Sequence, residues 1–557
     1  MVRLEHKIPF RLIPKTPPLF VDYIEQGLAS KRFFPRHFLD PDSFHQVSRE
    51  LRFDDSHRKV LVQALIRQNE RWGISEKTRQ NLEALSRPGC YAVVTGQQVG
   101  LLTGPCFNMY KAFTTIRLAH HLTGQGITSV PIFWMETTDH DLEEVDHVVL
   151  LDGTAQSLSQ IKLSFGPQSD GRPVGNLVLG PDLSEFRNAL RAQFPANSGF
   201  ADLVLNLVDQ CYHEGKTLSE AFASMMAQLL GEYGLILIDP MDAAISGLSR
   251  PVFKWAFQHS SVLQDHMAQR SEEIIQSGFE PQIKLDPQST FVFLTGEGAR
   301  RLLLQNGNEV WAKGSDQRMT VDQARALAES EPEKFTASVA LRPLLQDHLL
   351  PTVGYVGGPS ETSYWAQLGG FYQAWGRPMP VLVPRASFTV STEKSQKILA
   401  KYGLEFSSVF KGVERLTAEV LERSVSSDVS KQFDLLLTRV NEGLSGLKPG
   451  LEATETTLAG AMETARQKIE YQINNLKAKY LRAEERRNEK VVKHIVALEN
   501  LLWPRKNLQE RELNVSFFLA RYGRGFLKTI FEATEPLPDS HMLIQVESDG
   551  AREEAED

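Results

Sequence analysis

The sequence predicts an α/β protein built on a parallel sheet and carrying a long helical appendage. Three observations predict it. The apolar run Tyr91-Ala92-Val93-Val94 breaks into a loop with glycines at 96, 100 and 104. It then passes into a stretch with Met109, Phe113, Ile116 and His120 at helical spacing. The same grammar returns at 351–368, where an apolar run meets Gly357-Gly358-Pro359 and then a helix with Glu361 in its first turn. Between 413 and 503 apolar residues recur three or four apart with charge between them, the pattern of packed helices.

Composition narrows the class. At 557 residues the chain exceeds one compact core, and length alone argues for about three or four structural units. A net charge of −8 offers no electrostatic case for nucleic acid. The basic cluster at 477–487 is interleaved with glutamates and reads as a solvated helix face. No uncharged run approaches the ~18–20 residues of a membrane helix, and the N-terminus lacks the apolar core of a signal peptide. Cys90, Cys106 and Cys211 show no Cys-x-x-Cys spacing, which argues for a reducing, cytoplasmic setting. Cys106, beside the glycine loop, reads as a small buried hydrophobe before it reads as a reactive thiol.

In order, residues 1–45 are rich in proline and aromatics and read as an irregular arm lying on a larger body. Residues 43–86 read as two helices, ended by Pro88-Gly89. After the first strand, the loop at 96–104 offers backbone amides and a helix start to an anion, with Lys111 close by. A tight turn using glycine for geometry alone is the plain alternative. Gly124-Gln125-Gly126 then leads into a second strand, Val130-Pro131-Ile132-Phe133-Trp134-Met135. This closes a β-α-β unit whose strand tips are where ligands bind.

Beyond that tip lies Asp139-His140-Asp141, a base that titrates near neutrality between two carboxylates. Asp139 or Asp141 capping a helix near Leu142 is the structural alternative. A metal is not expected, because His-x-x-x-His spacing is absent. Residues 1–147 thus form the arm and first half of the core, and 148–230 a first mixed insertion. Residues 231–279 resume the core with a third strand at Leu235-Ile236-Leu237-Ile238, and 280–335 form a second insertion with a hairpin turn at 296–298. Residues 336–393 complete the core, ending in a strand whose tip bears Arg385 and Ser387, a candidate anion clamp.

Residues 394–503 read as an antiparallel helical hairpin turning at 443–450. One partner helix leaves much of its apolar stripe uncovered, which predicts a homodimer. Residues 504–557 return to the core and end in an acidic, frayed tail at 547–557.

Taken together, Gly96-Gln97-Gln98-x-Gly100-Leu101-x-x-Gly104-Pro105, Lys111, Asp139-His140-Asp141, Gly357-Gly358-Pro359, Tyr364-Trp365-Ala366-Gln367-Leu368, Val383-Pro384-Arg385 and Leu508-Gln509-Glu510-Arg511 carry a resemblance. The chain resembles the bacillithiol biosynthesis cysteine-adding enzyme family over nearly its whole length. The resemblance implies a Rossmann-like core similar to class I aminoacyl-tRNA synthetases, two connecting-peptide insertions and a dimerising coiled coil. It also implies a ligase joining the carboxyl of cysteine to the amine of glucosaminyl-malate. The family's Glu before Asp-His-Asp is replaced by Thr138, with Glu136 two residues upstream. No His-Ile-Gly-His or Lys-Met-Ser-Lys-Ser signature is present.

The roles expected on that basis are specific. His140, oriented by Asp139 or Asp141, is the candidate base. Gln97, Gln98 and the loop amides from Gly96 to Gly100 would hold a carboxylate or phosphate, and Lys111 and Arg385 would neutralise developing charge. Glu361 and Trp365 would hold the cysteine amine or the sugar, with Gly357, Gly358, Tyr364 and Ser387 beside them. Amide formation from a free carboxylate needs activation, so ATP or another nucleotide is expected. A synthetase-like ligase with another acyl acceptor, or a metabolite-binding dimer without catalysis, are the competing readings.

Overall fold

The computed structural model describes residues 2–152, 155–166, 171–194, 199–296, 299–424, 428–455, 457–487 and 489–546. Two compact units divide the chain. The larger comprises Met1–Gly153, Ser159–Val390 and Gln509–Asp557, and the smaller Thr154–Leu158 and Ser391–Leu508.

The larger unit is organised on a five-stranded sheet of β1 (Tyr91–Gln97), β2 (Ser129–Met135), β3 (Ile236–Ile238), β4 (Thr352–Gly357) and β5 (Val381–Pro384). These strands are short and apolar because both sheet faces are covered, and β2, β4 and β5 are buried at every position. The spatial order is β5-β4-β1-β2-β3, with every neighbouring pair parallel. The chain therefore steps one way from β1 to β2 and β3, and the other way to β4 and β5. The order reverses between β1 and β4, and their carboxyl ends flank the crevice where open α/β sheets bind ligands. Helix α1 (Phe107–Gly124) connects β1 to β2, and the short helix α2 (Pro359–Trp365) follows β4.

A hundred residues separate β2 from β3, and they include helices Leu183–Gln193, Ala201–Cys211 and Leu218–Leu230. Between β3 and β4 runs the 34-residue helix Ala243–Gln276. It is followed by a second, antiparallel five-stranded sheet spanning Ser289–Gly296 to Phe335–Ala337. The expected hairpin turn at 296–298 and the acidic tail at 547–557 fall largely or wholly outside the described residues.

The N-terminal arm differs from the expected irregular segment. Val2–Pro9 is a strand, pairing antiparallel with Ser540–Val546 near the other end of the chain. Its pattern was masked because its partner lies so far away in sequence. Helices Pro18–Ile24 and Leu28–Phe33 follow, and the expected two helices of 43–86 are three: Ser43–Glu50, Asp55–Trp72 and Glu76–Leu85.

The smaller unit is helical. Helices Asp428–Thr454 and Thr457–Arg487 run beside each other, with Phe433 and Tyr480 rings 6.2 Å apart and Lys477 Nζ 3.1 Å from Asp434 Oδ1. The turn expected at 443–450 is not there. The helix continues through its glycines and Pro449 to Thr454. A glycine costs about 1 kcal/mol and a proline about 3 kcal/mol inside a helix, and packing along the partner helix outweighs that local penalty. The next helix begins at Thr457. Leu435, Leu436, Leu447, Tyr471 and Leu476 remain exposed on this hairpin. No helix among the described residues is long and apolar enough to cross a membrane.

Candidate functional site

At the carboxyl ends of β1, β2 and β4 the larger unit opens a cleft of about 680 Å³. The tips of the two glycine-bearing segments meet in it through Lys111, which is 1% exposed. Its Nζ donates to Gly96 O (2.6 Å) and Gln97 Oε1 (2.8 Å) on the β1 side, and lies 2.5 Å from Glu361 Oε2 on the β4 side. Glu361 also accepts from the Gly358 N–H (2.8 Å) and from the Tyr355 hydroxyl (3.0 Å). Burial pushes the Glu361 carboxyl up, but the Lys111 charge outweighs it and holds the group below its ordinary value. Burial also draws the Lys111 ammonium down to about 8, against the pull of Glu361. The pair is ionised at neutral pH, and all three Lys111 donors are committed. Lys111 therefore ties the two loops together rather than standing free to neutralise a substrate.

Part of the first loop's backbone is already engaged within the protein. The Gly100, Leu101 and Leu102 amides are taken by Gln98 O, Val145 O and the Tyr212 hydroxyl. Gly100 is needed for closeness, since a Cβ there would sit 3.0 Å from Gly104 Cα. The loop is stapled from the far end of the chain: Asn514 Nδ2 donates to the carbonyls of Leu101 (3.3 Å), Leu102 (3.1 Å) and Gly104 (2.7 Å). Asn514 Oδ1 meanwhile caps the helix Val515–Tyr522 through the Ser516 amide. Asn514→Ala is expected to lower the unfolding free energy by about 2–4 kcal/mol, from orphaned buried carbonyls plus a lost cap. Urea denaturation would measure it, and a loss below about 0.5 kcal/mol would contradict the staple.

Gln98 carries the loop to the acidic segment, donating from Nε2 to Asp139 Oδ2 at 2.6 Å. Asp139 Oδ1 accepts from the His140 amide (2.7 Å) and lies 3.5 Å from His140 Nδ1 and 3.7 Å from Arg300 Nη1. Neither aspartate side chain caps a helix: the short turn Leu142–Glu144 has no side-chain cap bond. His140 lies outside the cleft lining, next to Asp139, with its side chain 45% exposed, and Asp141 is likewise outside it and exposed. Arg300 Nη1 also approaches His140 Nδ1 at 3.4 Å. These neighbours ask for opposite tautomers. Only the form with Nδ1–H toward Asp139 leaves Nε2 free to accept a proton.

Arg385 lines the cleft but is paired at 2.6 Å with Glu510 Oε1, both fully or nearly fully buried. Ser387 is buried behind it, donating to Glu510 Oε1 (2.9 Å) and lying 2.7 Å from His541 Nδ1. Trp365 is fully buried, packed on Tyr355 and Tyr372, because the helix after Pro359 turns it into the core. Tyr364 and Gly358 do line the cleft, whereas Gly100, His140, Asp141, Gly357, Trp365 and Ser387 do not. Sequence reasoning assigned no role to Arg300, Arg342 or Arg511, which also line it. Arg511 stood in a quoted motif and Arg342 directly follows an apolar run, but Arg300 lies in an insertion with no local signal. Among the described residues no group of three metal-ligating side chains is assembled. Cys106 is buried, and burial pushes its thiol far above the ordinary value, so it is inert.

The buried His541 and the half-buried His348 set an acid limit. Burial draws both His541 and His348 from 6.5 down to about 4. Below about pH 6.5 the unfolded chain takes protons that the folded chain refuses until about 4, so stability is lost as pH falls through that window. The expected loss at about pH 5 is roughly 2 kcal/mol per histidine. Urea midpoints at about pH 7.5 and 5 would check it, and equal midpoints would contradict it.

Comparison with known proteins bears on this geometry. Residues 7–386 match the model described as bacillithiol biosynthesis BshC, N-terminal Rossmann-like domain. Residues 388–546 match the BshC C-terminal coiled-coil domain. Among curated proteins, the chain is 34% identical over 549 residues to "Putative cysteine ligase BshC" of Salinibacter ruber, covering 98% of this chain and 99% of that one. The protein of the same name from Koribacter versatilis is 34% identical over 540 residues, covering 97% and 99%. That of Solibacter usitatus is 30% identical over 535 residues, covering 96% and 98%.

Proposed function

The chain belongs to the bacillithiol biosynthesis BshC family, and from that premise we propose that it is a cysteine ligase. In this reading it joins the cysteine carboxyl to the amine of glucosaminyl-malate, the last step toward bacillithiol. The observation that carries the reading is the cleft at the strand reversal, where Gln97, Asp139 and Glu361 come to one wall system. Its 680 Å³ lies within the range of small-molecule sites and suits a sugar conjugate. The likeness to class I synthetases belongs to the same reading, with the two insertions between β2 and β4 as connecting modules.

The amino-sugar ammonium must lose a proton before it attacks, and His140, next to Asp139, is the group proposed to take it. Asp139, held by Gln98, orients His140. The cysteine carboxylate needs activation, for which ATP or another nucleotide is the expected source. Arg511 and Lys284 fit a polyphosphate: both line the cleft and neither has an ion pair among the described residues. Three free, buried cysteines fit a reducing cytoplasm.

Thiol profiling by mass spectrometry in a strain lacking this protein tests the reading. Accumulated glucosaminyl-malate without bacillithiol is expected, and an unchanged thiol pool would remove the ligase assignment.

The hairpin's exposed leucines are the proposed contact with a second copy. Leu435→Glu with Leu436→Glu is expected to convert a dimer to a monomer by sedimentation velocity, with an unchanged mass as the contrary result.

A further inference from the structure

Behind one wall of the main cleft lies a second cavity of about 100 Å³. The two share Glu136, Ala337 and Arg342. The smaller cavity is mixed: Trp134, Met241, Phe253, Phe335 and Leu345 line it together with the polar Asn176, Thr295 and Glu333. Two of its serines have their hydroxyls committed to helix and loop carbonyls, Ser246 to Pro240 O (3.4 Å) and Ser249 to Ile245 O (3.0 Å). The space has room for a short side chain.

The shared wall is an incomplete ion pair. Glu136 Oε2 and Arg342 Nε stand 3.6 Å apart, beyond a direct hydrogen bond. The other guanidinium nitrogens are taken, Nη1 by Gln346 Oε1 (2.9 Å) and Nη2 by the Tyr355 and Tyr364 hydroxyls (both 3.3 Å). Glu136 receives only neutral donors, Trp134 Nε1 at 3.1 Å and Thr138 Oγ1 at 2.6 Å. A carboxylate and a guanidinium N–H, adjacent but unjoined where two cavities meet, complement a zwitterion. An α-ammonium would complete Glu136, and an α-carboxylate would complete Arg342 Nε.

We propose that the Glu136–Arg342 junction is an α-amino-acid site whose side-chain pocket is the 100 Å³ cavity, and that its amino acid is cysteine. The choice of cysteine rests on the ligase reading. A thiol sits well beside Met241 and the aromatic rings of the lining. The carboxylate is then held at the wall common to both cavities, where an acceptor amine in the main cleft can reach it. Glu361 and Trp365, the groups first expected to hold the amine, are already engaged with Lys111 and with the core.

Isothermal titration calorimetry of the full-length protein tests this, with L-cysteine, L-alanine, L-methionine and glucosaminyl-malate as separate titrants. Glu136→Gln removes the charge at nearly constant shape, and Ser249→Leu fills the pocket from its own wall. Both are expected to weaken cysteine binding about tenfold or more, and Ser249→Leu to leave glucosaminyl-malate within about threefold. Leu345→Ala enlarges the pocket and is expected to admit methionine, which keeps the test open if Ser249→Leu does not fold. Cysteine binding that ignores all three changes would overturn the site and leave the ligase reading intact. Binding of alanine but not cysteine, sensitive to the same changes, would support the site and remove the cysteine reading. A protein that binds no α-amino acid overturns the proposal.

Discussion

Glu510→Ala is expected to lower the unfolding free energy by about 3–5 kcal/mol, the largest stability effect of any single change considered. Glu510 is 0% exposed and Arg385 3%, with 2.6 Å between them. Two ions taken this far from water need each other, and removing one leaves the other's desolvation uncompensated. Glu510 also accepts from the Ser387 hydroxyl and, at 2.8 Å, from the Phe388 amide, so alanine orphans two further donors. A double-mutant cycle with Arg385→Met separates the pair from these neighbours. Because two apolar side chains can replace a buried pair at little cost, the double variant is expected to recover part of the loss. A Glu510→Ala protein whose urea midpoint matches the wild type would contradict this account of why Arg385 holds its position.

His140→Ala carries the largest expected kinetic effect, a fall in ligase turnover of roughly 10²–10⁴-fold, the usual worth of a positioned acid–base group. The folded state should hardly notice. The side chain is 45% exposed and contributes no core contact, so stability should change by less than about 0.5 kcal/mol. Turnover in a reaction with ATP, cysteine and glucosaminyl-malate, with melting measured on the same samples, checks both halves. Asp139→Asn should lose less, because it spoils the imidazole's orientation without removing the base. Full turnover in His140→Ala would move the proton transfer to another group.

The parallel sheet was legible because its strands are short apolar runs bounded by glycine and proline, as at 91–94 and 351–357. The strand Val2–Pro9 was not, because charges alternate through it and its partner Ser540–Val546 lies at the other end of the chain. Residues 443–450 misled because glycine and proline there are overruled by an antiparallel helix, a tertiary effect invisible in a local window. In the site, the segments that come together were readable from repeated strand-loop-helix grammar. What their side chains do once together was not. Lys111 and Arg385 look like free cations in sequence, and only the fold reveals that Glu361 and Glu510 already hold them. Arg300 and Arg342 enter the cleft from segments whose sequence carries no sign of where they will be placed.

The cleft where the strand order reverses is the proposed place of the chemistry. A crystal structure with glucosaminyl-malate bound tests it most directly. The ligand is expected within hydrogen-bond reach of Gln97 and Asp139, its amine on the side of His140. Ligand density at any site away from the carboxyl ends of β1 and β4 would contradict it.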